Sequence, residues 1–133
     1  MPELKTVWGE NLNPEAILPE YPRPQLVRDS YVNLNGRWDY AITESDAEPE
    51  HWDDEILVPF SPEAPLSGVN RTLLPGQTLW YRREIQETRR EGQRLLLHFG
   101  AVDQEAKIYV NGTLAGEHLG GYTAFTVELT ALL

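Results

Sequence analysis

From Gly36 onward, apolar residues recur at every second position in short runs, the period of a half-buried β-strand. Trp38, Tyr40 and Ile42 alternate with Arg37, Asp39 and Ala41, which predicts a strand over Arg37 to Ile42. Ile56-Leu57-Val58 is a brief apolar run stopped by Pro59. Leu79 to Ile85 reads as the next strand and Arg94 to Phe99 as the one after it. Ala106, Ile108 and Val110 then alternate with Lys107, Tyr109 and Asn111. Asn111-Gly112 is the strongest hairpin signal, because both central residues of a type I′ turn need positive φ. Thr113 to His118 returns, Gly120-Gly121 bends the chain, and Phe125, Val127 and Leu129 alternate with Thr126, Glu128 and Thr130. Short strands of this kind, with no internal repeat of roughly 20–50 residues, predict an all-β antiparallel sandwich. Its expected core comprises Trp38, Tyr40, Leu97, Phe99, Ile108, Val110, Phe125 and Val127.

Residues 1–35 are different. Pro2, Pro14, Pro19, Pro22 and Pro24 make them a loop-rich lead-in, and 36–133 is the expected sandwich domain. Asn13-Pro14-Glu15 combines a helix N-cap, a proline at the first helical position and an acidic first turn, so a short helix is expected there, stopped by Pro19.

Composition narrows the function classes. The 133 residues suit a single domain, and 41% hydrophobic with 24% charged residues is ordinary globular composition. With no cysteine, a disulfide framework and thiolate metal or redox chemistry are excluded. A formal charge of −10 argues against nucleic acid, whose phosphates need Lys and Arg partners. Glu44 to Glu55 holds seven carboxylates and no Lys or Arg. That is the pattern of a solvated loop, since Asp53-Asp54-Glu55 lacks the alternating ligands and central Gly of an EF-hand. The N-terminus has no charged segment followed by an apolar run, and no apolar stretch reaches the roughly 18 residues of a membrane span. With Met1 as the native start, the expected location is the cytoplasm.

Several segments together carry a resemblance. Tyr21-Pro22-Arg23-Pro24-Gln25 precedes Leu34-Asn35-Gly36-Arg37-Trp38-Asp39-Tyr40, and Val58-Pro59-Phe60 leads into Glu63-Ala64-Pro65-Leu66-Ser67-Gly68-Val69. Trp80-Tyr81-Arg82-Arg83 follows, then Leu97-His98-Phe99-Gly100-Ala101-Val102-Asp103, Val110-Asn111-Gly112, and Gly120-Gly121-Tyr122 before Phe125. In this order, from about Tyr21 to Leu133, they resemble the N-terminal domain of family 2 glycoside hydrolases, the group of β-galactosidases, β-glucuronidases and β-mannosidases. The resemblance implies a jelly-roll sandwich similar to galactose-binding domains. It also implies immunoglobulin-like and TIM-barrel domains downstream, the barrel carrying both catalytic glutamates of a retaining β-glycosidase. It further implies that the domain's last strands lie beyond Leu133, which would leave Phe125 to Leu133 with an open edge and expose the chain to edge pairing or segment swapping with a second copy.

The residues themselves offer little chemistry. Retaining hydrolysis needs two carboxyl groups about 5–5.5 Å apart. Asp103 and Glu105 form the tempting local pair, yet they belong to a turn with no apolar pocket to keep a proton, so they read as solvated carboxylates. His51, His98 and His118 are scattered, and His98 reads as a satisfied, half-buried strand histidine. No catalytic residue, metal ligand or cofactor site is assigned. For a carbohydrate partner, aromatic faces and planar polar groups are needed. Trp38 and Trp80 sit within strands and read as core, whereas Trp52 lies in the acidic loop and Asn70 follows Ser67-Gly68-Val69. In some family members the corresponding loop offers an Asn to substrate, which makes Asn70 and Trp52 the substrate-rim candidates. Arg83 shares the alternating face of Leu79 and Tyr81, so it needs an ion pair or a backbone carbonyl partner. Asn70-Arg71-Thr72 and Asn111-Gly112-Thr113 match the glycosylation sequon, which matters only in a secreted eukaryotic protein. The expected function is a non-catalytic accessory domain of a glycoside hydrolase; an independent carbohydrate-binding module is the alternative.

Overall fold

A computed structural model describes residues 4–86 and 89–133. The chain divides into two compact units, Met1–Glu84 and Ile85–Leu133. Seven strands run through the described residues, every pairing is antiparallel, and helix is confined to single turns. The fold is the all-β antiparallel sandwich class expected from the two-residue period.

In the first unit, β1 (Gly36–Thr43) lies between β2 (Asp54–Val58) and β3 (Thr78–Arg82). The hydrophobic face explains the register, because Trp38 pairs with the fully buried Ile56 and Tyr40 with Tyr81. A central strand is covered more completely than simple alternation implies. Tyr40 and Ala41 are neighbours in sequence, point to opposite faces, and are both buried. The lead-in contributes to this unit through Ile17, which is 3% exposed.

The second unit pairs β4 (Leu96–Phe99) with β7 (Phe125–Glu128), and β5 (Glu105–Val110) with β6 (Thr113–Leu119). Asn111 and Gly112 both take positive φ, 49° and 79°, which closes β5 onto β6 as the hairpin signal predicted. Ile108, Val127 and Leu129 form the buried centre, with Leu97, Phe99, Val110 and Phe125 packed against it. Phe99 and Phe125 are cross-strand partners whose rings stack with centroids 4.7 Å apart. Gly116 packs closely on the core: a Cβ there would sit 3.2 Å from Cγ2 of Val127, which would have to give way by a few tenths of an ångström. Of the eight expected core residues, Tyr40, Ile108 and Val127 are buried and the other five half-buried. Near the C-terminus, Leu129 donates its N–H to the Leu95 carbonyl and is 3% exposed, whereas Leu133 is 45% exposed.

Four expectations need correction. The cap at Asn13 forms, with its Oδ1 accepting from the Glu15 N–H at 3.1 Å, but no helix grows from it. The Asn33 and Asn35 side chains bind the carbonyls of Ile17 and Leu18, and Leu18 turns to φ 43°, so tertiary bonds take the groups a helix would need. The short α-helix, α1, lies instead at Val7–Glu10, capped by the Thr6 hydroxyl. Strand β3 ends at Arg82, short of Ile85. There Arg83 turns its guanidinium to the Leu34 and Asn35 carbonyls at 2.7 and 3.3 Å, the backbone partner its position demanded. Strand β4 begins at Leu96 rather than Arg94, because Arg94 is drawn to Glu128 and the Leu95 N–H to the Thr130 hydroxyl. His98 is satisfied by Thr126 at 2.8 Å, yet it is exposed, because Leu95, Leu97 and Phe99 take the inner face.

Candidate functional site

Alternation places Arg37, Asp39, Ala41 and Thr43 on one face of β1. Asp39 pairs across the ladder with Glu55 on β2 and with Arg82 on β3, so these three side chains form a row about 4.8 Å apart across the sheet. Two carboxylates directly opposite each other repel, and two arginines compensate. Arg82 donates from Nε and Nη2 to Oδ2 of Asp39 at 3.0 and 2.8 Å. Arg37 donates from Nη1 to Oε2 of Glu55 at 3.3 Å. All four side chains are 41–56% exposed, so each pair contributes only about 0–1 kcal/mol and orders the face more than it stabilises it. A shallow depression of about 250 Å³ opens over this row, edged by Trp38.

Trp52 belongs to the same region. Its ring is half-buried and the Arg82 guanidinium lies over it, 4.4 Å from the ring centroid. Arg82 is therefore held between a carboxylate and an indole, a cation–π contact of about 0.5–1 kcal/mol at an exposed site. The neighbouring Asp53 fixes the end of the acidic loop. Its N–H donates to the Tyr40 carbonyl at 2.8 Å, and its Oδ2 accepts from the Ile42 N–H at 3.0 Å and from Nη1 of Arg71 at 3.5 Å. Farther along the loop, Glu44 accepts from Gln77 at 2.7 Å and Asp46 from the Thr78 hydroxyl at 3.0 Å. The acidic segment is thus tied to the sheet rather than simply solvated.

Asn70 is exposed and left-handed, with φ 53°. The turn before it is built on Ser67, which is 2% exposed: its hydroxyl donates to the Ala64 carbonyl at 2.7 Å and accepts from the Val69 N–H at 3.0 Å. Gly68 follows at φ 83°. Because Arg71 reaches Asp53, the loops bearing Asn70 and Trp52 are neighbours. Sequence reasoning found the two candidates and missed the residues that bring their loops together, Asp53 and Arg71. The available signal was an opposite charge beside each candidate.

Glu63 steadies the same loop. The Leu73 N–H bonds its carboxylate at 3.1 Å and, with its own backbone N–H, holds its pKa below the usual carboxylate value. Burial of the Tyr81 hydroxyl, and then the Glu63 charge, push the Tyr81 pKa up. Because the folded pKa of Glu63 is depressed, its contribution is present above the unfolded value of about 4.3 and is lost as pH falls through the folded value. A carboxyl-detected NMR titration is expected to place the Glu63 midpoint below about 4.3; a midpoint at or above it would show that the Leu73 bond does not persist in solution.

Asp103 and Glu105 are exposed, and the Asp103 carboxyl fills the space over Gly121, where a Cβ would lie 2.5 Å from its Oδ1. His51 is exposed in the acidic loop. His118 stacks on Phe125 at 4.1 Å, and Nε2 meets the Thr123 hydroxyl at 3.2 Å. Among the described residues no cluster of three or more His, Asp or Glu could hold a metal ion, and no helix is long and apolar enough to cross a membrane.

No protein-family model matches the chain. Individual relatives do. The chain is 34% identical over 109 residues to a β-glucuronidase of Streptococcus agalactiae, which covers 80% of this chain and 18% of that protein. It is 44% identical over 52 residues to a β-galactosidase of Thermoanaerobacter pseudethanolicus, 38% of this chain and 7% of that protein. Among solved structures, the β-glucuronidase of Faecalibacterium prausnitzii superposes with a TM-score of 0.62 at 27% identity, over 81% of this chain and 20% of that one. The chain therefore spans no more than about a fifth of the length of these proteins. Ordered motifs, aligned residues and antiparallel sandwich agree, and the chain belongs to glycoside hydrolase family 2, as a counterpart of its N-terminal jelly-roll domain.

Proposed function

We propose that the chain serves as a non-catalytic accessory part of a larger retaining glycosidase that removes terminal β-linked sugars. The observation that carries this reading is the 34% identity over 109 residues to a β-glucuronidase more than five times as long as the aligned stretch. β-Glucuronidases recur among the relatives, beside a β-galactosidase, and they favour a β-glucuronide as the parent's substrate. Immunoglobulin-like and barrel domains of the parent are the natural partners. The carboxylates found here support a structural role: Asp39, Asp53, Glu55 and Glu128 each hold an arginine, and Glu63 holds backbone N–H groups. Loops at Trp52 and Asn70 would contribute to the substrate rim.

Assays of the 133-residue chain and of its full-length parent on p-nitrophenyl β-D-glucuronide and β-D-galactoside test this. The parent is expected to turn over the glucuronide preferentially, and the chain alone neither substrate. Turnover by the purified chain would overturn the accessory assignment, with the Asp103→Ala and Glu105→Ala substitutions showing whether that pair or another site carries it, as would a parent without a barrel domain.

A further inference from the structure

We propose that Asn111 is a site of spontaneous covalent modification, losing its side-chain nitrogen as ammonia through a succinimide, while the fold shields the chain's other Asn-Gly pair at Asn35. Of the six asparagines, only Asn35 and Asn111 precede a glycine. The reaction needs the following backbone nitrogen to reach the asparagine Cγ. Glycine leaves that approach clear, because it has no Cβ and its backbone turns freely. Pro14, which follows Asn13, has no N–H to lose.

The two pairs differ in what holds them. Asn111 and Gly112 are both exposed at the tip of the β5–β6 hairpin, with φ 49° and 79°. Among the described residues the Gly112 N–H has no hydrogen-bond partner. The Asn111 side chain makes one exposed bond, from Nδ2 to the Leu132 carbonyl at 3.3 Å. Asn35, by contrast, is fixed at three points. Its N–H donates to Oδ1 of Asn33 at 2.8 Å, its Nδ2 to the Ile17 carbonyl at 3.3 Å, and its own carbonyl accepts from Nη1 of Arg83 at 3.3 Å. Gly36 is buried and paired opposite Val58. Attack requires the Asn-Gly peptide to rotate. At Asn35 that rotation breaks the Arg83 bond and lifts Gly36 from the sheet. At Asn111 it needs only a surface turn to open, which costs far less than opening a paired strand.

The Gly112 nitrogen gives up its proton and bonds to Cγ of Asn111; the Cγ–Nδ2 bond breaks, and Nδ2 leaves as ammonia carrying that proton. Water then opens the ring and returns an N–H to Gly112. Opening at Cγ gives aspartate, and opening at the Asn111 main-chain carbonyl carbon gives isoaspartate, with an added methylene in the backbone. One water is consumed and one ammonia released. The new carboxyl group, with an ordinary pKa of about 3.9, is ionised at neutral pH and adds one negative charge. Either product removes the Nδ2 donor, so the bond tying the 3-10 turn Thr130–Leu132 to the hairpin tip is lost.

Ageing the purified 133-residue chain in mildly alkaline buffer, with and without urea, and mapping its peptides by mass spectrometry tests the site. In the folded chain, conversion at Asn111 is expected to be at least about tenfold faster than at Asn35. In urea the two should convert at similar rates. The converted form, separated by its extra negative charge, should exchange the Leu132 amide faster than the parent form. Conversion at Asn35 as fast as at Asn111 in the folded chain would overturn the proposal, as would protection of both sites until urea is added. A difference that persists undiminished in urea would overturn the role of the fold, and unchanged Leu132 exchange would overturn the coupling to the Thr130–Leu132 turn.

Discussion

Ile56→Ala is expected to lower the stability of the chain by about 2–5 kcal/mol, the range for truncating a buried isoleucine. Ile56 is 1% exposed, sits in β2 opposite Trp38, and is the largest of the fully buried side chains. Removing three carbons leaves a void against a strand that is hydrogen-bonded along its length, so the site cannot collapse freely. Urea unfolding followed by tryptophan fluorescence reports it directly, because Trp38 is the cross-strand neighbour. Val7→Ala, at a residue 69% exposed in α1, is the control and should change stability by less than about 0.5 kcal/mol. Equal midpoints for the two variants would show that β2 does not carry the core of the first unit.

Ser67→Ala is expected to cost about 1–3 kcal/mol, although it removes only one oxygen. The hydroxyl donates to the Ala64 carbonyl and accepts from the Val69 N–H in a part-buried turn, so its loss takes the Val69 N–H's partner away, while the Ala64 carbonyl keeps the Ser67 N–H. The loop from Gly68 to Arg71 should loosen together with the turn, and faster amide exchange at Val69 and Asn70 would report it. By contrast, the Asp39–Arg82 pair is more conspicuous and about half exposed, so Asp39→Ala should cost less than about 1 kcal/mol. The opposite ranking would mean that the ionic row, and not the serine turn, holds the candidate site together.

Much of the molecule was legible beforehand because its signals are local. Asn111-Gly112 needs only its own φ preferences to make a turn, and the period-two spacing of Phe125 and Val127 needs only the pleat. The order of the family motifs was equally readable, since each occupies a few consecutive residues. Local signals also misled at Asn13, where a correct N-cap met carbonyls already claimed from Asn33 and Asn35.

The sequence alone determined the strand class, the hairpin, the inward residues of the Phe125 run, the absence of cysteine chemistry, and the family resemblance. Tertiary structure decided which strands are neighbours, and with that the site. Asp39 and Arg82 are 43 residues apart, Asp53 and Arg71 are 18 apart, and Arg94 and Glu128 are 34 apart. No periodicity within a single run encodes such pairings. They follow from which apolar faces bury each other, and the charged residues on the opposite faces are then carried into register by the pleat. Trp52 shows the consequence: the sequence places it in a polar loop, and only the pairing of β3 with β1 brings Arg82 over its ring.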